Sequence, residues 1–300
     1  MRKQARNGAG NGASESLLER SSNINNAKVT QMYRSRAQAS MLWTILGCCI
    51  AFCGTMAAPA FATPAALVTP APLPRLTTLG DSITAGAYGS SYTVPLATAL
   101  GMQLTNLGIG GEFSGPVDFQ QTCTGCARIT YGGILADEVP KIPLQTTIVT
   151  LYVGTNDRIF LGELGMLPDM SNALTIAQGV AVEYDANIKA IVAGVRARVP
   201  NARIILATVP NGAWRPTGKT WPLPLRKSIT YMSNAFKKTL VDTGLPVVDL
   251  MCEPAMYDDA NFGGPTDVHP VASGFAVVAA DFAATIRHPK PAGHCKYEAL

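Results

Sequence analysis

Ser82 stands in Gly80-Asp81-Ser82-Ile83-Thr84, directly after the short apolar run Arg75–Leu79. A serine placed between a strand and a helix exposes its hydroxyl at the carboxyl edge of a sheet, with helix N-terminal amides around it. Three other polar clusters share that kind of position. Asn106-Leu107-Gly108-Ile109-Gly110-Gly111 follows a second strand-like run, and its glycines let backbone N–H groups approach a ligand closely. Gly154-Thr155-Asn156-Asp157 follows a third, and Thr266-Asp267-Val268-His269-Pro270 precedes the last helical segment. A serine hydroxyl is a weak nucleophile until an adjacent imidazole takes its proton, so Ser82 and His269 are the pair whose meeting would enable acyl transfer. Asp81 and Asp157 also have plainer roles open to them, as a helix-start hydrogen bond and as a cap after a strand.

These clusters need elements that bring them to one edge. Strand-like runs occur at Arg75–Leu79, Gln103–Leu107, Thr146–Val153, Arg203–Val209 and Pro246–Leu250. TTIVTLYV and RIILATV are β-branched and apolar nearly throughout, as strands buried on both faces should be. Helices are expected at Tyr92–Leu100, Ala127–Val139, Gly179–Val199, Leu225–Thr243 and Ala272–Ile286. In Gly179–Val199 the residues Ile188, Ile191, Val192, Val195 and Val199 make one apolar stripe, and Pro200 follows its end. The alternation predicts an α/β domain with a five-stranded parallel sheet and helices on both faces, whose ligands bind beyond the carboxyl ends of the strands.

Taken together, and in this order, the four clusters resemble the SGNH hydrolases, also called GDSL esterases and lipases. The likeness spans residues 75–287. It implies a flavodoxin-like three-layer α/β/α sandwich and hydrolysis of carboxylic esters through an acyl-enzyme. Carried over by position, Ser82 corresponds to the nucleophile and His269 to the general base. Gly111 corresponds to a backbone oxyanion donor and Asn156 to the side-chain donor. Histidine scarcity agrees: of three, His288 and His294 fall in RHPKPAGHC, beyond the last expected helix.

One position departs from the family pattern, which places an Asp three residues before the His. Here that residue is Thr266, and Asp267 is two before. Three ways of orienting the imidazole are open: Asp267 through a different turn, a backbone carbonyl, or another carboxylate that reaches in. Asp267 is the preferred reading. Trp214 and Trp221, in NGAWRPTGKTWPLP, are candidates for a pocket wall or for ordinary packing. Phe160, Leu161, Leu164, Met166 and Leu167 are candidates for an acyl pocket or lid.

The charge balance gives no support to a nucleic-acid partner. The chain carries 24 basic and 20 acidic residues, but seven of the basic ones and two of the acidic ones lie in residues 1–40. Residues 41–300 hold 17 basic and 18 acidic groups, so the basicity belongs to the leader. Met41–Ala62 is apolar and uncharged, lies just after Arg34 and Arg36, and closes on Ala60-Phe61-Ala62. That order predicts a signal peptide cleaved after Ala62 and a secreted or periplasmic enzyme without stable membrane insertion; an uncleaved anchor is the alternative. Residues 1–40 then read as a polar extension, with Met32 as a candidate start, 63–74 as a Pro/Ala-rich linker, and 288–300 as a tail. The four cysteines beyond the leader suggest disulfides Cys123–Cys126 and Cys252–Cys295, three pairings being open in principle. No cofactor or metal is expected, since no phosphate loop, dinucleotide fingerprint or metal cluster stands in the sequence. The substrate class left open is a small-molecule or polysaccharide ester, with acyl transfer or a binding role as rivals. Oligomeric state has no sequence signal.

Overall fold

The computed structural model describes residues 73–120, 128–158 and 171–300. The first strand, β1 (Arg75–Gly80), leads straight into a four-residue helix, α1 (Ser82–Ala85). α2 (Thr93–Leu100) and β2 (Gln103–Asn106) come next, then a hairpin of β3 (Val117–Gln120) and β4 (Arg128–Tyr131). A short α3 (Ile134–Asp137) precedes the central strand β5 (Thr146–Tyr152). The rest alternates: α4 (Ala173–Arg198), β6 (Arg203–Ala207), α5 (Leu223–Asp242), β7 (Val247–Val248) and α6 (Ala272–Arg287).

The main sheet is parallel throughout, in the order β2-β1-β5-β6-β7. The chain runs outward from β1 to one edge, returns through β5, and builds the other half. The reversal puts the carboxyl ends of β1 and β5 side by side, with Gly80 paired to Tyr152. That is the crevice where open α/β sheets bind ligands.

Two cores cover the two faces, and the strands feed them alternately, as a period of two requires. Leu76, Ile148, Tyr152, Ile205 and Val248 point to one face, where they meet Tyr92 of α2's N-cap and Phe275 and Phe282 of α6. Tyr92 and Phe282 stack there with ring centroids 5.0 Å apart. Leu79, Val149, Leu151, Ile204, Leu206 and Val247 point to the other face, against Ile188 and Ile191 of α4 and Met232 and Phe236 of α5. The apolar stripe expected on α4 is the stripe that is buried.

Two expectations need correction. The segment Ala127–Val139 is not one helix: Arg128–Tyr131 is a strand paired antiparallel with Val117–Gln120, and only Ile134–Asp137 is α-helical. The β-branched and aromatic residues of RITY favour extended backbone, and Gly132-Gly133 separates the two elements, Gly133 having φ +79°. The helix expected at Gly179–Val199 begins earlier, at Ala173, because Gly179 is carried within it while Ala173, Ala177 and Ala181 are buried.

Candidate active site

β1 ends at Gly80, whose φ of +149° disfavours other residues. A β-carbon there would lie 2.2 Å from the Tyr152 carbonyl oxygen. The turn is fixed from both sides: the Gly80 N–H donates to Glu138 Oε2 at 2.9 Å, and the Gly80 carbonyl accepts from Ile109 N at 2.9 Å. Asp81 caps α1 by accepting from Ile83 N at 3.0 Å, the plain role open to it. Its carboxyl is buried, and burial pushes its pKa up to about 7 against the pull of that hydrogen bond. Glu138 is buried too, and burial pushes it up to about 9.

Ser82, first residue of α1, lies 187 positions from His269, yet Ser82 Oγ and His269 Nε2 are 2.8 Å apart. On the far side of the ring, His269 Nδ1 is 2.8 Å from Asp267 Oδ1. The two-residue spacing works because the loop turns tightly. Asp267 N donates to the Gly264 carbonyl at 3.1 Å, and the His269 N–H donates to the same Asp267 Oδ1 at 2.9 Å. Both side chains are part-buried, 30% exposed for His269 and 22% for Asp267, so the pair is open to a ligand without being washed by bulk water.

Gly111 reaches the same edge from the loop after β2, and Asn156 from the helical turn that starts at Thr155, just after β5. Gly111 has φ +82°, and a β-carbon there would lie 2.2 Å from the Tyr131 hydroxyl. Asn156 Nδ2 donates to the Glu112 carbonyl at 2.7 Å, which fixes the amide plane and leaves its second hydrogen for a ligand. Among the described residues the backbone N–H groups of Ser82 and Gly111 find no acceptor. The loop and that helical turn are tied together by Asp157, which accepts from Ser114 N at 3.1 Å and Ser114 Oγ at 2.5 Å. Burial raises the Asp157 pKa, and the bonds from Ser114 oppose that.

This arrangement can pass a proton from a hydroxyl to an imidazole and offer N–H donors to a developing negative oxygen. Sequence reading missed the residues that hold it. Arg215 donates to Asp259 Oδ1 at 2.9 Å, to the Gly264 carbonyl at 3.0 Å and to the Asp267 carbonyl, with its guanidinium 3.9 Å from the Phe262 ring centroid. Tyr88, a non-glycine residue at φ +52°, donates its hydroxyl to Asp267 Oδ2. These contacts cross tens to hundreds of positions and leave no short-range pattern.

A matching profile, that of the GDSL-like lipase/acylhydrolase family, covers residues 78–277. The chain belongs to that family. With this membership it is a hydrolase of carboxylic esters, and an ester is the expected substrate of a GDSL-like enzyme. Among solved structures, the phospholipase A1 of Streptomyces albidoflavus NA297 is 14% identical, with a TM-score of 0.52, over 73% of this chain and 100% of that one. The lipase Lip_vut3 from a goat rumen metagenome is 15% identical, with a TM-score of 0.50, over 70% and 96%. At such identities the likeness speaks for the fold of the GDSL-like domain. Comparison with curated proteins finds no match.

Cys252 and Cys295 form a disulfide, as expected. The expected Cys123–Cys126 bridge, the segment Phe160–Leu167 and the leader lie outside the described residues. Of the two candidate tryptophans, Trp221 lines a cavity beside the site, while Trp214 packs on the tail, donating to the Ala299 carbonyl at 2.6 Å. Among the described residues no helix is long and apolar enough to cross a membrane.

Proposed function

We propose that the chain is an exported serine esterase in which Ser82 is the nucleophile and His269 its base. The observation that carries the reading is the unbroken line Ser82 Oγ–His269 Nε2–His269 Nδ1–Asp267 Oδ1, with 2.8 Å at each polar contact. His269 takes the Ser82 proton as Oγ attacks the ester carbonyl, and returns it to the leaving alcohol. Asp267 holds the imidazole in the tautomer whose Nε2 accepts. The tetrahedral oxyanion is received by the N–H groups of Ser82 and Gly111 and by the Asn156 amide. Water then enters on the same base and releases the acid. Export is supported by the order of charge, apolar run and small residues in 34–62, and by a disulfide of the kind that persists in oxidising compartments. The cavity beside the site, about 90 Å³, favours short acyl or alcohol groups.

The test is hydrolysis of p-nitrophenyl acetate, butyrate and octanoate by the wild type and by Ser82→Ala. The reading predicts turnover that vanishes in Ser82→Ala and falls with chain length. Equal rates in both proteins would overturn it.

A further inference from the structure

The cavity next to the Ser82–His269 pair is bounded by Ile83 on the serine side and Val268 on the histidine side, with Trp221 in its wall. Most of the lining is apolar, and the polar exceptions are unusual. Two arginines line the cavity, Arg158 and Arg215. Arg215 is committed to Asp259 and to the carbonyls of Gly264 and Asp267. Arg158 is different. Among the described residues its guanidinium has one acceptor, the Pro210 carbonyl, and no carboxylate partner. It stands against Gly212, its Cζ 3.7 Å from where a β-carbon would be. Tyr152, the last residue of β5, and Thr155 also border the cavity. Both residues are 1% exposed, and their hydroxyls are enclosed behind that wall.

A largely enclosed cation normally has a counter-charge. A cavity wall that holds such a cation without a counter-charge among the described residues is matched to a ligand that brings acceptor oxygens and negative charge. A guanidinium suits paired oxygens, as in a carboxylate or a phosphate.

We propose that this cavity is an anion subsite. It receives a carboxylate or phosphate group carried by the ester substrate, with the Arg158 guanidinium supplying both the charge and the hydrogen-bond donors. The inference rests on the serine-esterase reading for its place in the reaction. The substrate class it implies is a small ester bearing an acidic group, as opposed to a wholly neutral one.

Two measurements test it. Sodium glutarate and inorganic phosphate are titrated into the Ser82→Ala protein at constant ionic strength, following tryptophan fluorescence, to which Trp221 in the wall contributes. The same two anions are tested as inhibitors of p-nitrophenyl butyrate hydrolysis by the wild type. A saturable response to one of them is expected, and it tells carboxylate from phosphate. The same anion should inhibit competitively. Adding Arg158→Gln should weaken binding by about tenfold or more, and Arg158→Lys should weaken it less. The absence of any saturable response, or inhibition that is not competitive, would overturn the subsite. So would binding unchanged by both Arg158 substitutions. If Arg158→Gln does not fold, Arg158→Lys and the wild-type inhibition still decide. The titration needs no catalysis, so it stands even if the wild type hydrolyses nothing. Conversely, Ser82-dependent hydrolysis without anion binding would remove the subsite and leave the esterase reading intact.

Discussion

Asp267 is held on three sides: by His269 Nδ1, by the His269 N–H and by the Tyr88 hydroxyl. Asp267→Asn keeps the size but reverses the hydrogen-bond preference toward Nδ1, so the imidazole turns to the wrong tautomer. By comparison with other triads, kcat should fall by about 10²–10⁴ with KM little changed. Turnover within tenfold of wild type would show that a backbone carbonyl or another acid orients His269. Asn156→Ala removes one proposed oxyanion donor and should cost about 10²–10³ in kcat, again without a matching change in KM. The Ser and His were legible because each sits in a short string at an element boundary. The choice among three orienting groups for His269 was not, since it depends on whether two residues of loop curl back far enough, and it is the Gly264–Asp267 turn that makes them do so.

At the scale of elements, the parallel strands were readable because burial on both faces leaves short, nearly continuous apolar runs, and the long helices because burial on one face imposes a period of 3.6. The β3–β4 hairpin was not. Its strands, VDFQ and RITY, are four residues each and pair with each other instead of joining the sheet, so no long periodic run announces them. The struts behind the site were hidden for a similar reason. Glu138 supports the end of β1 from 58 positions away. Its folded pKa, near 9, lies above the ordinary carboxyl value of 4.5, so the folded state holds the extra proton. Stability from this group is full below the unfolded pKa and is lost as pH rises toward 9. The urea midpoint of the wild type should therefore fall between pH 5.5 and 8.5, Asp81 adding to the effect below about 7. Glu138→Gln keeps an acceptor for the Gly80 N–H and should flatten the slope; an unchanged slope would place the titration elsewhere. Arg215 ties the His269 loop to Asp259 through a largely buried ion pair, 9% and 28% exposed. Arg215→Ala should lower stability by about 3 kcal/mol and slow turnover together, measured by urea unfolding and p-nitrophenyl butyrate hydrolysis.

For the molecule as a whole, the tail 288–300 closes the fold. Tyr297 is buried and stacks on Tyr257 at 3.8 Å, Asn211 Nδ2 donates to the Tyr297 carbonyl at 2.9 Å, and Cys252–Cys295 joins residues 43 positions apart. Lys237 joins the same end by ion pairs to Asp249 at 2.8 Å and Glu298 at 2.6 Å. Chain-entropy arguments put the value of such a crosslink at about 4 kcal/mol. Replacing both cysteines by serine should lower the melting temperature clearly while leaving the Ser82–His269 edge, on other elements, able to turn over substrate at low temperature. The cysteine count made a bridge legible; the packing of Tyr257 on Tyr297 gave no signal, because it joins a loop to a tail far along the chain. The central claim is that Ser82 carries the acyl group, and covalent trapping tests it most directly. The wild type is treated with a fluorophosphonate ester, and the labelled peptide is mapped by mass spectrometry as activity is lost. One equivalent on the peptide containing Ser82, rising in step with inactivation and absent in Ser82→Ala, is the predicted result. Full hydrolytic activity in a protein fully labelled at Ser82 would contradict it.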